Sequence, residues 1–522
     1  MSRILKVGVA VVVILVLAGG VLAVRRGGAV VLDAPGIALD LARPDALLET
    51  ASLADLPRDL LTVPMFRDVL TEDVVAYYEQ TEGRLSLGGT LRRLAYEHDL
   101  DLGDWVIRTV IDQPAEIALW KAGDGRLGHS LVVATRTGLT RLLEMAAKVA
   151  LRDAQLQRID GDLDVDGAAV PVYALAYARG RVLLFAGHGD RLVILSDAAM
   201  LADRQGRLRG AGRTVVAGLL STRAEARRIY RDHFALEPGE RRHTLAVSAR
   251  HLSFGYQRFF PGVSALRFDF ARDGWATRVL LDPAALPERA LATRTLWSLV
   301  PAEPAACLAL PVQWAEAATL AEAIGVETAA TRPVVDALDG PAAVCWYPTS
   351  RLYTPLFLVA TRRPLEPDEA AVLERLFAVA IGAAESRTLG DTRVWHRRQR
   401  FFVATLARHR HAVAFSPDTR LVDDALAVAD RTYPSLADVL PDEATVLAVL
   451  VPRTLGTLAE AEAFASLPAG QEPVFRNAAS TQLVPRLTKL KGYPAYALVL
   501  PADSPPRADR WLAVEWRPLG RP

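Results

Sequence analysis

The sequence has few cysteines and almost no net charge. Two of its 522 residues are cysteine, and 61 lysines and arginines nearly balance 60 aspartates and glutamates, which leaves a net charge of +1. The two cysteines form no CxxC pair, so the ligand spacing of common zinc and thioredoxin-type sites is missing. A chain so close to neutral has no overall field to attract nucleic acid, and we predict no nucleic-acid partner.

The sequence also lacks the common catalytic motifs. GxSxG, HExxH, the P-loop and a GxGxxG after a predicted strand are all missing. We therefore predict no cofactor and no metal site, and we assign no catalytic residue. An envelope hydrolase with dispersed active-site residues stays the alternative, because such a site leaves no local motif.

Cys307 and Cys345 each lie in a short apolar run that is typical of a buried strand, ACLALPV and AAVCWYP. One interpretation is that both are buried thiols, which behave as small apolar side chains. The other is a disulfide within the second half of the chain, which requires an oxidising compartment. The sequence leaves both interpretations open.

One long apolar run stands at the N-terminus. Residues 7–24 read VGVAVVVILVLAGGVLAV and carry no charge, whereas Arg3, Lys6, Arg25 and Arg26 flank them. As a helix this run is roughly 27 Å long, which is close to the thickness of a bilayer core. We predict a transmembrane anchor over residues 1–26. A cleaved signal peptide is the alternative, because small residues near Ala23 suit a cleavage site.

The orientation of this segment follows less directly from its flanks, since the positive charges on its two sides are nearly balanced. A signal or a signal-anchor delivers the rest of the chain across the membrane in either case. We therefore predict a single-pass protein of the bacterial inner membrane with its body in the periplasm.

Five short segments of the first half recur in the same order in the second half. They are DQPAEIALW (112–120) with DGPAAVCWY (339–347), VATR (133–136) with VATR (359–362), VILS (193–196) with VAFS (413–416), LEPGERRHTLAVSA (236–249) with VLPDEATVLAVLV (439–451), and the strand-opening Trp275 with Trp511. Five matches in one order indicate an internal duplication. We predict a first module over 36–290 and a second over 295–522, joined by a proline- and alanine-rich stretch.

Both modules show alternating strand patterns interrupted by a helix. Helical spacing of apolar residues predicts one helix over 139–149 and its counterpart over 373–381. The predicted strands are 117–120, 131–135, 172–178, 181–186, 191–196, 263–271 and 275–281 in the first module, and 393–397, 400–407 and 411–416 in the second. The predicted fold is α+β: two tandem copies of an antiparallel sheet covered by helices, after one N-terminal transmembrane helix.

Two kinds of acidic cluster invite a functional interpretation. The run DGDLDVDG, 160–167, resembles a calcium loop, but Tyr173 stands where the bidentate glutamate is needed. A strand with solvated aspartates that ends in an Asp166-Gly167 turn fits better. His98 in YEHDLDLGDW, and His188 with Asp190 in AGHGD, could act as general bases beside carboxylates. We interpret these segments as a loop and a tight glycine-rich turn.

A basic cluster in the second module is the one candidate binding surface. Its members are Arg393, His396, Arg397, Arg398, Arg400, Arg408 and Arg410. On a hairpin these side chains would form a positive patch that could bind an anionic lipid or an anionic envelope polymer. The alternative is an edge strand whose charges discourage pairing with another chain.

Whole segments of the sequence are similar to one family. The stretch LDLARPDALLETASLADLPRDLLTVPMFRDVLTEDVVAYYE (39–79), then LRRLAYEHDL (91–100) and DQPAEIALW (112–120), resembles the YfaA-like family of uncharacterised bacterial proteins. The resemblance implies an envelope protein of unknown function, encoded in some genomes near a bacterial α2-macroglobulin-like protein. It implies no site residues. Our leading hypothesis is a membrane-anchored, non-enzymatic interaction protein with an α2-macroglobulin-like partner.

Overall fold

The computed structural model describes most of the chain from Ile37 onward. The described residues are 37, 39–53, 55–60, 113–122, 127–135, 156–178, 181–203, 205–237, 242–253, 256–441, 444–465, 473, 476–477, 479–501 and 510–519. The predicted anchor at 1–26, the predicted helix at 139–149 and the segment around His98 lie outside them. In the ranges just given, no helix is both long enough and apolar enough to cross a membrane.

Contacts between residues divide the chain into two compact units, each of which is described by itself. Unit 1 comprises Met1–Phe254 and Ala265–Trp275, and unit 2 comprises Gly255–Ser264 and Ala276–Pro522. Both units combine helices with antiparallel strands, which confirms the α+β class.

Unit 1 is an antiparallel sheet with short helices. Its strands are β1 (Ala46–Thr50), β2 (Ala115–Lys121), β3 (Leu127–Thr135), β4 (Leu156–Val165), β5 (Ala168–Ala178), β6 (Arg181–His188), β7 (Arg191–Leu195), β8 (His243–Ser248) and β9 (Val263–Ala271). Its helices are α1 (Leu56–Leu60), α2 (Gly210–Leu220), α3 (Ile229–His233) and α4 (Ala249–Leu252). The strands pair in the order β4-β5-β6-β7-β3-β2-β1-β8-β9.

Unit 2 is also an antiparallel sheet with helices, and its longest described helices have 14 residues. Its strands are β10 (Gly274–Leu281), β11 (Ala306–Leu310), β12 (Leu338–Trp346), β13 (Leu356–Thr361), β14 (Glu385–Leu389), β15 (Thr392–Arg398), β16 (Val403–His409), β17 (Ala412–Ser416), β18 (Thr445–Leu450), β19 (Tyr496–Leu500) and β20 (Trp511–Pro518). Its helices are α5 (Thr293–Trp297), α6 (Ala315–Ala323), α7 (Thr328–Ala337), α8 (Pro367–Ala380), α9 (Thr419–Ala429), α10 (Pro452–Ala465) and α11 (Val484–Leu490). The strand order is β14-β15-β16-β17-β13-β12-β11-β18-β19-β20-β10.

The strand order of unit 1 matches the first nine strands of unit 2. The segments that recur in the sequence lie on strands that correspond in this order: β2 with β12, β3 with β13, β7 with β17, and β8 with β18. The register agrees at one of these pairings, where Val133 lies opposite Val193 and Val359 lies opposite Val413. The division between the units differs from the predicted module boundary at 290, because most of β10 belongs to unit 2, where it pairs with β20.

Helix α8 confirms the helix predicted in the second module. Its first turn is capped by a reciprocal pair of hydrogen bonds between Glu366 and Glu369, with Pro367 at its start. Leu373 and Phe377, one helical turn apart, are buried against one face of the sheet. Gly382 follows the end of the helix with a φ of 119°, a backbone conformation that suits glycine.

Two layers of apolar side chains enclose the sheet of unit 2. Along β15, Val394 belongs to the layer under α9, and the next residue, Trp395, belongs to the layer under α8. This alternation is what a strand buried on both faces requires. Cys307 and Cys345 lie directly opposite each other on β11 and β12, are fully buried in the layer under α9, and are bonded as a disulfide.

Candidate functional site

The basic cluster lies on the β15–β16 hairpin, but its side chains do not form one patch. Arg393 and Arg397 are on the face of β15 that carries Trp395, whereas His396 and Arg398 are on the opposite face. The hairpin is present as predicted, and the cluster is divided between its two faces, because successive side chains of a strand point to opposite faces.

Most cations of this hairpin have partners within unit 2. Arg393 donates to Glu374 Oε2 at 2.8 Å, and Arg408 donates to the Leu365 carbonyl at 3.2 Å. Arg397 donates to the Ala383 carbonyl at 3.0 Å, His396 Nε2 is 3.3 Å from Glu385 Oε2, and Arg410 Nε is 3.7 Å from Asp391 Oδ2. These five side chains are therefore tied to the fold.

The turn of this hairpin is different, and we call Arg398, Arg400 and Phe401 the hairpin tip. Phe401 is 75% exposed, the highest value for a large apolar side chain in the part of the chain that the structure describes. The guanidinium carbon of Arg400 lies 5.0 Å from the centre of the Phe401 ring. Arg398 is exposed and has no ion-pair partner among the described residues. The tip thus presents an aromatic ring together with two cations.

The tip is held in place by the end of helix α8. The Gln399 backbone N–H donates to the Phe402 carbonyl at 2.8 Å and closes the turn. The Gln399 side chain donates to the Ile381 carbonyl at 2.9 Å, and Arg397 reaches the Ala383 carbonyl next to it. Carbonyls at a helix C-terminus lack intrahelical donors, so the bond from Gln399 satisfies the C-cap carbonyl of α8. Together with the bond from Arg397, it links the turn to the segment that follows the helix.

The aspartate-rich run of unit 1 has a structural role. Asp166 and Gly167 have φ values of 53° and 86° and form the two-residue turn between β4 and β5, as predicted. Asp166 accepts hydrogen bonds from Ser221, Thr222 and Arg223, and these donors hold the pKa of its carboxyl well below its usual range. Over the described ranges, no cluster of histidine, cysteine or acidic side chains suits a metal ion.

His188 and Asp190 flank a tight turn. His188 pairs with Arg191 across the β6–β7 hairpin, with Gly189 and Asp190 between them. This agrees with the interpretation of AGHGD as a glycine-rich turn joining two strands. Gly189 has a φ of 60°, which explains a glycine at that position.

A buried polar network in unit 1 was not foreseen from the sequence. Thr50 Oγ1 lies 2.8 Å from His243 Nδ1, and His243 Nε2 lies 3.0 Å from Asp59 Oδ2. The order hydroxyl, imidazole, carboxylate is that of a hydrolytic triad. However, Asp59 and His243 are 0% exposed, and the Thr50 hydroxyl also donates to the Ser52 carbonyl at 2.9 Å. The network therefore stabilises unit 1 and offers no hydroxyl to a substrate in solution.

A second unforeseen feature is a partly buried charged cluster that comprises Glu49, Glu116, Arg191, Tyr230 and Arg231. Glu49 and Glu116 lie directly opposite each other on β1 and β2, and Arg231 Nε is 2.7 Å from Glu49 Oε1. Burial, followed by the nearby Glu49 carboxylate, raises the pKa of Glu116. Burial lowers the pKa of the Arg191 guanidinium.

Three polar atoms of this charged cluster have no hydrogen-bond partner. They are Glu116 Oε2, Arg191 Nε and Tyr230 Oη, and each is shielded from solvent. Unpaired buried polar atoms are rare and costly, so they mark either a functional site or a bound water. Here cationic and anionic members occur together, and the cluster favours no single ligand charge.

Comparison with known proteins identifies relatives of the whole chain. The model of a family described as an uncharacterized protein conserved in bacteria (DUF2138) matches residues 2–399 and 396–516. The chain is 34% identical to the uncharacterized protein YfaA of Escherichia coli (strain K12), over 92% of this chain and 91% of that protein. These matches confirm the resemblance found in the sequence.

One solved structure is also similar in part. It is crystal form III of TP0453, with 9% identity and a TM-score of 0.21, and the match covers 52% of this chain and 87% of that one. A TM-score this low carries no argument about fold or function.

Proposed function

Since the chain belongs to the family of uncharacterized proteins conserved in bacteria (DUF2138), we propose that it is a membrane-anchored envelope protein that works by binding rather than by catalysis. Residues 7–24 would hold it in the inner membrane, and the α+β units would face the periplasm. The disulfide is the observation that carries this proposal.

The Cys307–Cys345 pair supports export of the body. Disulfides persist in oxidising compartments such as the periplasm and are rare in the cytosol, where thiols are kept reduced. The two cysteines are directly opposite on neighbouring strands, and they are fully buried. The uncharged run 7–24 supports delivery of the body across the membrane, because both a signal peptide and a signal-anchor have such a run. The positive charges on its two flanks are nearly balanced and favour neither orientation.

The thiol state in cells tests this proposal. Whole cells that express the full chain are quenched with acid, denatured, and treated with a maleimide carrying a polymer large enough to shift the protein on a gel. We expect no shift without reductant and a shift of two polymers after reduction. The double variant Cys307→Ala with Cys345→Ala is the control and should never shift. Two free thiols in cells with an intact oxidation system would contradict export.

The second part of the proposal is that the two units arose by duplication of one module. The shared strand order and the location of the recurring segments on corresponding strands support it. Two copies of one module would present two sets of loops, which suits an interaction protein.

The third part concerns the partner. The family resemblance favours an envelope protein of the α2-macroglobulin type. Affinity capture of the full chain from membranes solubilised in mild detergent should recover that protein at a defined ratio. Recovery of only the background seen with an unrelated single-pass protein would count against a protein partner and leave the anchor untouched.

A further inference from the structure

We propose that the hairpin tip, Arg398, Arg400 and Phe401, docks unit 2 on the anionic phospholipid surface of a membrane. The inference rests on the proposed anchoring in one respect, because an anchored body stays within reach of a bilayer. It goes beyond that anchor by assigning a second membrane contact, in a different part of the chain.

The composition of the tip fits a bilayer surface. An aromatic ring that is three-quarters exposed is unfavourable in water and favourable at the headgroup level of a membrane. Arg398 and Arg400 flank it within three residues, and each cation near an anionic leaflet contributes attraction. The contact of Arg400 with the Phe401 ring keeps charge and ring together.

The remainder of the hairpin argues for a bilayer rather than a long polyanion. An extended polymer would require a continuous row of available cations. Instead, Arg393 is paired with Glu374, and Arg397 and Arg408 donate to backbone carbonyls. A carboxylate, Glu385, also lies beside His396 on this hairpin. Exposed positive charge lies beside an exposed aromatic ring only at the turn, among the described residues of this hairpin.

The tip is also presented in a fixed conformation. Gln399 closes the turn through its backbone and binds the end of α8 through its side chain. A surface element that is ordered before binding loses little conformational entropy when it docks.

Photo-crosslinking tests the inference on the full chain. Phe401 is replaced by p-benzoylphenylalanine, and the protein is reconstituted into phosphatidylcholine vesicles with or without phosphatidylglycerol. Irradiation should give lipid adducts, detected as a mass increase of the peptide around residue 401, in the vesicles with phosphatidylglycerol. Neutralising both cations, with Arg398→Gln and Arg400→Gln, should lower the adduct yield about tenfold. Raising the salt from about 0.05 to about 0.5 M should lower it similarly.

Leu389 provides a matched control. It is 57% exposed and lies at the opposite end of the β14–β15 pairing, opposite Thr392. The same photoreactive residue at 389 should give no lipid adduct. Equal adducts at 389 and 401, equal yields without phosphatidylglycerol, adducts with protein only, or none at 401 would each overturn the inference.

The same samples separate the inference from the proposed anchor. Retention of the chain on vesicles after extraction at high pH shows that the N-terminal segment is inserted in the membrane. The lipid adduct at residue 401 shows that the hairpin tip contacts the lipid. A chain that is retained without an adduct at 401 contradicts the tip alone. A chain that is lost from the vesicles contradicts the anchor.

Discussion

Unit 1 and unit 2 have the same strand order but different interiors. When DQPAEIALW is aligned with DGPAAVCWY, Ala118 of β2 matches Cys345 of β12. Leu47 lies opposite Ala118 in unit 1, whereas Cys307 lies opposite Cys345 in unit 2. An apolar pair in one unit thus corresponds to a covalent bond in the other.

The pair two positions further along the same strands, on the same face of the sheet, differs even more. Unit 1 has Glu49 opposite Glu116, and unit 2 has Ala309 opposite Ala343. The order of strands is set by backbone pairing and by the alternation of side chains, both of which tolerate such changes. The comparison teaches that one strand order accommodates an apolar, cross-linked pairing in unit 2 and ionisable groups at the matching place in unit 1.

The largest expected effect is loss of the cross-link in unit 2. Replacing Cys307 and Cys345 by alanine opens a loop of 38 residues and should lower the unfolding free energy of unit 2 by about 3–4 kcal/mol. Hydrogen exchange in increasing urea, followed peptide by peptide, measures the two units separately. Reduction of the wild-type chain is the control and should reproduce the effect. An equal loss of protection in unit 1 would contradict the assignment of the bond to one unit.

The next effect concerns the buried network of unit 1. Thr50→Val should destabilise this unit by about 2 kcal/mol, because His243 Nδ1 loses its partner while it stays buried. Thr50→Ser retains the hydroxyl and should keep most of the stability. The same hydrogen-exchange experiment measures the stability of unit 1 in both variants. Equal losses of stability for Thr50→Val and Thr50→Ser would indicate that packing, and not the hydrogen bond, stabilises the network.

A smaller effect of opposite sign is expected at Glu116. Because burial raises its pKa, the ionised carboxylate is less favourable in the folded state than in the unfolded state. This cost is absent below the ordinary glutamate pKa, grows between that value and the raised folded pKa, and is constant above it. Glu116→Gln should therefore stabilise unit 1 by about 1 kcal/mol at pH 7. Denaturant midpoints measured between pH 4 and pH 8 check this, and a gain that persists at pH 4 would argue against ionisation as its cause.

The smallest effect is expected at Asp166. Its pKa is lowered by hydrogen bonds from Ser221, Thr222 and Arg223, so its contribution is present above the ordinary aspartate pKa and is lost as pH falls through the lower folded value. Asp166→Asn keeps a residue that tolerates positive φ and should lower the Tm at pH 7 by about one or two degrees. The difference should vanish in strong acid. Thermal unfolding of both proteins at several pH values measures this difference in Tm. A difference that does not change with pH would indicate that the substitution acts through the backbone conformation of the turn and not through the loss of the carboxylate charge.

Local patterns in the sequence predicted much of the fold. Strand alternation located β5, β6 and β7, helical periodicity with Pro367 and Gly382 located α8, and Asp166-Gly167 predicted its turn. Each of these signals lies within a short segment of neighbouring residues. The spacing of apolar residues within such a segment indicates its secondary structure, so no distant contact has to be known.

The candidate sites were less accessible to sequence reasoning. Thr50 and His243 are 193 residues apart, and Glu116 and Arg191 become neighbours through the pairing of strands. The basic hairpin was predicted as one surface, but the pleat divides its side chains between two faces, and several of them donate hydrogen bonds within the fold. The sequence shows Phe401 and Phe402 only as two adjacent phenylalanines. The fold shows that Phe401 is exposed, whereas Phe402 packs against the apolar layer under α8.

One measurement addresses both the duplication and the compartment. In a chain whose native cysteines are replaced by alanine, Leu47→Cys with Ala118→Cys places a new pair where unit 2 has its disulfide. The account predicts that this pair is oxidised in cells, as read by the maleimide gel shift before and after reduction. Thiols that stay free in cells but join under added oxidant would contradict the periplasmic location, and thiols that join under neither condition would contradict the equivalence of the two units.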